Sequence, residues 1–172
     1  MSTRPNILYI MSDDHAAHAI SAYGSQINQT PNIDRLADEG VRLTNTFCTN
    51  ALCTPSRATI LTGQYSHVNQ VKTLDDEIDS SRPIQSQKLL KQAGYDTAIV
   101  GKWHLGNNEA SNPQGFDYWN ILPGQGDYYD PVMIENGVEH QLEGYVTDLI
   151  TDIAVEWLDS RDSEAPFFLM VH

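Results

Sequence analysis

The sequence is short of the residues that define several protein classes. It has two cysteines, Cys48 and Cys53, so neither a disulfide framework nor a four-cysteine zinc site can be built. A local Cys48–Cys53 disulfide stays open as the rival use of both thiols, although so short a closed loop gains little from chain entropy. No apolar run approaches the roughly 20 residues of a membrane span. Met1 to Pro5 lead only into the short stretch Ile7 to Met11, which reads as a first strand and not as a signal peptide. Positive charge is scarce: 10 Lys and Arg face 23 Asp and Glu, a formal net charge of -13, which disfavours nucleic acid and anionic lipid as partners. The expectations are no nucleic-acid partner and no membrane partner. Location reads as cytoplasmic on the literal sequence, and as periplasmic or exported if a leader precedes it. Internal repeats and low-complexity tracts are absent.

What is present suffices for a catalytic core. A chain of 172 residues that is 40% hydrophobic can bury a sizeable interior, and its length suggests a single domain. Asn6 to Met11 is a near-continuous apolar run ending in Ser12-Asp13-Asp14, which reads as a strand buried on both faces of a parallel sheet. Thr30-Pro31 opens a helix with Ile33, Leu36 and Ala37 on one face and Gly40 as its stop. Val41 to Phe47 alternates as a strand. Thr54 can cap a further helix, with Pro55 in its first turn and Gly63 at its end, so that Cys53 sits just before a helix N-terminus. Gln85 to Ala93 reads as a helix and Thr97 to Val100 as a strand running into Gly101-Lys102-Trp103-His104-Leu105-Gly106. The Asn136-Gly137 pair predicts a hairpin between Val132–Ile134 and Val138–Leu142. Leu149, Ile150, Ile153, Ala154, Trp157 and Leu158 form a broad helical stripe, and Phe167 to Val171 a last buried strand. Strands alternating with helices predict an α/β fold, a mostly parallel sheet flanked by helices, with ligands at the carboxyl ends of the strands.

Three groups of residues could carry chemistry. A cysteine at a helix start with an arginine nearby has nucleophilic character by position. Cysteine-based phosphatases share that arrangement, but their loop puts five residues between Cys and Arg, whereas here only Thr54, Pro55 and Ser56 intervene. This spacing sets Arg57 about one helical turn from Cys53, facing the same oxyanion. Adjacent carboxylates Asp13 and Asp14 repel each other, and either a solvated turn or a hard divalent cation with oxygen ligands accommodates them. A Lys-x-His pair such as Lys102 and His104 is by itself weak, being more often surface and core than catalysis.

Leu52-Cys53-Thr54-Pro55-Ser56-Arg57-Ala58-Thr59-Ile60-Leu61-Thr62-Gly63 resembles the full signature of the type I, formylglycine-dependent sulfatases, which have an alkaline phosphatase-like fold. Gly101 to Gly106 resembles the second signature of that family, and Asp13-Asp14 its strand-ending metal pair. The resemblance runs from Asn6 to the end and is similar in feel to bacterial sugar sulfatases, including N-acetylglucosamine-6-sulfatases. It implies oxidation of Cys53 to formylglycine by a maturation enzyme, whose hydrated aldehyde is the nucleophile. It also implies a Ca2+ ion held by Asp13, Asp14 and residue 53, a sulfate clamp at Arg57 and Lys102, and a base at His104. The expected partner is a sulfated small molecule or carbohydrate. The chemistry explains the modification: a serine would leave a stable sulfate ester, whereas a hydrated aldehyde expels sulfate by re-forming its carbonyl.

Family members are much longer, so residues 1–172 are expected to be a partial N-terminal catalytic domain. The rest of the metal shell, the leaving-group His and Lys and a C-terminal subdomain would lie elsewhere, and the segment would be inactive alone. His172 is left out of the expected site. His15, His18 and His67 read as cover or support, Tyr128 and Tyr129 as an exposed loop or a sugar contact, and Trp103, Trp119 and Trp157 as core. The rival functions are a phosphonate or phosphate ester hydrolase of the same superfamily and a non-catalytic metal- or carbohydrate-binding segment.

Overall fold

The computed structural model describes residues 4–161 and 164–172. The chain divides into two compact units, Met1–Met11 with Thr49–His172, and Ser12–Cys48.

The larger unit is a six-stranded sheet in the order β1-β6-β2-β3-β4-β5, formed by β1 Ile7–Ile10, β2 Asp96–Lys102, β3 Tyr118–Leu122, β4 Val132–Glu135, β5 Val138–Gln141 and β6 Phe167–Val171. The β1-β6, β6-β2 and β2-β3 pairs are parallel, whereas β3-β4 and β4-β5 are antiparallel. The expected mostly parallel α/β sheet is thus present. Strand β3 was not among the expected elements: its Tyr-Trp-Asn-Ile-Leu run is too short for periodicity to separate from a loop, and pairing with β2 defines it.

Alternation along each strand builds one core on each face. Ile99, Phe168 and Met170 pack with Ala58 and Leu61 of α2 (Cys53–Thr62). Ala98, Val100 and Leu169 pack with Val146, Ile150 and Ala154 of α5 (Val146–Ser160). Full burial of Ile99 and Leu169 contributes about 1.5–3 kcal/mol each. The remaining helices of this unit are the short α3 (Ser66–Asn69) and α4 (Ser86–Gln92), the latter close to the expected 85–93. No described helix is long and apolar enough to cross a membrane.

Two expectations for strands fail. β1 is an edge strand and is not buried on both faces: Ile7 and Tyr9 pack on the first core, but Leu8 and Ile10 are 50% and 65% exposed. A continuous apolar run does not reveal whether both faces find a cover. Val41 to Phe47 forms no strand, and Phe47 is 91% exposed. Its alternation has no partner strand among the described residues, and alternation without a ladder leaves backbone groups to water. The Asn136-Gly137 hairpin forms as expected, with φ of 47° and 92° at its two turn residues.

The smaller unit carries two short 3-10 turns, Ala17–Ala19 and Ser21–Tyr23, and helix α1 (Pro31–Glu39) ahead of Gly40. Thr30 precedes this helix without a side-chain capping bond. Asp34 ties the unit together by accepting from Ser21 Oγ at 2.6 Å and the Ala22 amide at 2.7 Å, and the Ser21 bond leads in holding its carboxyl below the usual range. Ile33, Leu36 and the rest of α1 contribute no buried residue.

Candidate active site

Cys53 is the first residue of α2, after Leu52, and does not precede the helix as the sequence suggested. Thr54 is therefore not the cap. It is buried within the first turn, and its hydroxyl donates to Leu74 O at 3.4 Å. Pro55 sits where its missing N–H costs nothing, and the first intrahelical bond runs from Ser56 N to Leu52 O at 2.9 Å. The partly exposed Cys53 side chain thus belongs to the helix end whose amides favour anions. Neither Cys48 nor Cys53 is in a disulfide, so the rival pairing is not formed.

Strand β2 delivers the second signature to the same place. Gly101 has φ of 104°, and a Cβ there would stand 2.1 Å from the His172 carbonyl oxygen, so only glycine lets β2 and β6 approach at this point. Lys102 ends the strand with its Nζ 3.8 Å from Cys53 Sγ and 2.6 Å from Gln125 Oε1. Trp103 turns the other way into the core, 2% exposed, where its indole N–H donates to Ser111 O at 2.8 Å. His104 then takes φ of 49°, an uncommon left-handed conformation for a non-glycine residue and the kind of strain that collects at functional sites.

Arg57, one turn along α2 from Cys53, is 4% exposed. Its Nη1 donates to Lys102 O at 2.7 Å and lies 3.1 Å from His172 Nδ1. One edge of the guanidinium therefore faces the carboxyl ends of β2 and β6. The structure brings Cys53, Arg57 and Lys102 together, with His104 two residues beyond Lys102, and adds two residues that sequence reasoning missed, Gln125 and His172. Gln125 lies in the Gly124-Gln125-Gly126 loop that follows β3, and it was hidden because β3 itself was not foreseen. His172 was left out because the resemblance puts the family's catalytic His a few residues beyond this strand, and only pairing in the sheet carries His172 to Arg57. Burial, followed by the charge of Arg57, pushes the His172 imidazole down to about 3, so it is neutral at physiological pH.

A model of the Sulfatase family matches residues 5–172. The chain belongs to the sulfatase family. This sulfatase chain is 49% identical to the N-acetylglucosamine-6-O-sulfatase of Bacteroides thetaiotaomicron, over 98% of its own length and 30% of the relative. It is 37% identical to human arylsulfatase D, over 87% of its length and 29% of the relative. It thus spans under a third of the length of these relatives. Among solved structures it matches, with a TM-score of 0.93 and 48% identity, a protein in complex with its substrate D-glucosamine-2-N,6-O-disulfate, over 99% of this chain and 34% of that one. A phosphonate monoester hydrolase of Agrobacterium radiobacter shares the fold, with a TM-score of 0.70 at 23% identity, over 97% of this chain and 40% of that one.

Asp13 and Asp14 belong to the smaller unit, are exposed, and Asp14 has φ of 50°. The described residues contain no cluster of three or more His, Cys, Asp or Glu that could hold a metal ion. Two neighbouring carboxylates supply only part of the six to eight oxygens that Ca2+ takes. His67 is exposed and stacks on Tyr65 at 5.9 Å. Tyr128 and Tyr129 are exposed as expected, the latter packed on Tyr145 at 5.3 Å. Trp103 is core, Trp119 is partly buried against the same core, and Trp157 is partly buried against the core on the other face of the sheet.

Proposed function

We propose that these residues supply the nucleophile end of an enzyme that hydrolyses sulfate esters of amino sugars, with 6-O-sulfated N-acetylglucosamine or glucosamine as the substrate class. The observation that carries the reading is the placement of Lys102 Nζ 3.8 Å from Cys53 Sγ at the first turn of α2. The sugar class is supported by the relative at 49% identity, an N-acetylglucosamine-6-O-sulfatase, and by the solved structure at 48% identity, which is a complex with D-glucosamine-2-N,6-O-disulfate.

As a formylglycine hydrate, the residue 53 side chain would supply an oxygen nucleophile that releases sulfate by re-forming its carbonyl. The helix start and the Lys102 ammonium sit where negative charge develops on the attacked sulfate, and fixed donors in that position stabilise the transition state. Arg57 adds permanent positive charge one helical turn behind. His104 follows Lys102 on a turn that opens from the strand end, and serves as the base for the hydrate proton. Asp13 and Asp14 contribute part of a Ca2+ shell in this reading, and the partner that installs formylglycine is a dedicated maturation enzyme.

The test is sulfate release from 6-O-sulfated N-acetylglucosamine by the full-length protein carrying this segment, coexpressed with a formylglycine-generating enzyme. Turnover that disappears in C53A supports the proposal. Hydrolysis of a phosphonate monoester in preference to any sulfate ester would overturn it in favour of the rival hydrolase.

A further inference from the structure

We infer that His172 is a positioning residue for this site, holding the Arg57 guanidinium in place by accepting a hydrogen bond at Nδ1 from Nη1. The inference rests on the sulfatase reading above for the role of Arg57.

The backbone sets the histidine there. Parallel pairing of β6 with β2 continues past Val171, since His172 N donates to Val100 O at 3.0 Å and Lys102 N donates to His172 O at 3.2 Å. On the other side, Met11 N donates to Val171 O at 2.9 Å. Residue 172 is therefore held between two neighbouring chain segments. By alternation it shares the face of Phe168 and Met170, the side packed with α2. Arg57 projects from that helix onto the imidazole. Tyr9 of β1 closes the opposite flank, with its ring edge-on to His172 at 5.9 Å and 73°.

Donor and acceptor chemistry fixes the direction of the contact. Arginine only donates, so a hydrogen bond across the 3.1 Å from Nη1 to Nδ1 places a lone pair on Nδ1 and the proton on Nε2. The alternative tautomer would donate from Nδ1 to Lys102 O at the longer distance of 3.3 Å, with the same N–H crowding a guanidinium nitrogen 3.1 Å away. Nδ1 is also 3.3 Å from Lys102 O, which itself accepts from the same Nη1 at 2.7 Å. One guanidinium nitrogen is thus held by two acceptors, one on each of two adjacent strand ends. The second ring nitrogen, Nε2, is buried without a hydrogen-bond partner among the described residues. Because Lys102 contributes both the acceptor carbonyl and the ammonium beside Cys53, the position of Arg57 is tied to that of Lys102.

The test uses the full-length, matured protein, with inorganic sulfate binding by calorimetry and sulfate ester turnover as readouts. H172L removes the acceptor and is expected to lower kcat by about 10- to 100-fold and to weaken sulfate binding. H172N keeps an oxygen near the Nδ1 position and is expected to stay within about threefold of wild type. H172Q, whose oxygen reaches the Nε2 position, is expected to behave like H172L, and it replaces H172L if that variant does not accumulate. In an R57A background, H172L should change neither readout. Wild-type turnover in H172L or H172Q, an H172N as impaired as H172L, or effects of H172L and R57A that multiply would each overturn the inference. Unchanged sulfate binding and turnover in R57A alone would overturn the assignment of Arg57 to the site, and the inference with it.

Discussion

Lys102 Nζ stands 3.8 Å from Cys53 Sγ, joining the carboxyl end of β2 to the first turn of α2 across 49 positions of sequence. The ammonium is a compact charge on a flexible stem, and here it is held from one side by Gln125 Oε1 at 2.6 Å. K102A is expected to lower kcat of sulfate ester hydrolysis by about 100- to 1,000-fold, as the loss of a preorganised charge at a developing oxyanion does. K102R is not expected to restore it, because the planar fork differs in size and geometry from an ammonium. Steady-state kinetics on the full-length protein read both.

Gln125 is expected to act through Lys102. Q125A releases one anchor of the ammonium and should lower kcat/KM by about tenfold, with the effect largely absent in a K102A background. A double-mutant cycle in kcat/KM measures this.

Maturation has a direct signature. Conversion of Cys53 to formylglycine removes about 18 Da from the peptide that contains it, since a thiol is replaced by an aldehyde. Mass spectrometry of the coexpressed protein is expected to find this loss at Cys53 and none at Cys48. An unmodified Cys53 peptide would favour a binding role over catalysis.

Stability should fall in mild acid through His172. Burial and the Arg57 charge take its imidazole from 6.5 to about 3. Between those values the unfolded chain takes up a proton that the folded chain does not, so stability is full above about pH 6.5 and declines as pH falls towards 3. The groups facing the ring are Arg57 from α2, Tyr9 from β1 and Lys102 from β2. Asp34, Asp76, Asp79 and Asp117 are held below their ordinary 3.8, so their contribution is lost at lower pH and the upper part of the window reports on the histidine. Urea unfolding from pH 7 to 4.5 should show a shallower slope in H172N than in wild type.

The close approach of β2 and β6 sets a steric prediction. G101A puts a methyl group 2.1 Å from the His172 carbonyl oxygen, at a φ of 104° that alanine resists. The expected loss is about 2–4 kcal/mol, read as a lower urea midpoint, with Lys102 activity falling alongside because the strand end must shift.

Resemblance to a family pointed to Cys53, Arg57, Lys102 and His104 as one chemical group, whereas the sequence by itself determined the α/β alternation, the hairpin at Asn136-Gly137 and the start of α2 to within one residue. These are local signals: hydrophobic period, a Cys-x-Pro-x-Arg spacing, a turn that needs positive φ. Strand order was decided only by the tertiary structure, and with it three outcomes that local pattern does not encode. β1 lies at an edge although its run is as apolar as a central strand. Val41 to Phe47 alternates without a ladder. Gln125 and His172 reach Lys102 and Arg57 because β3 and β6 flank β2, and a residue with no motif around it gains a role only when a neighbouring strand carries it to the site.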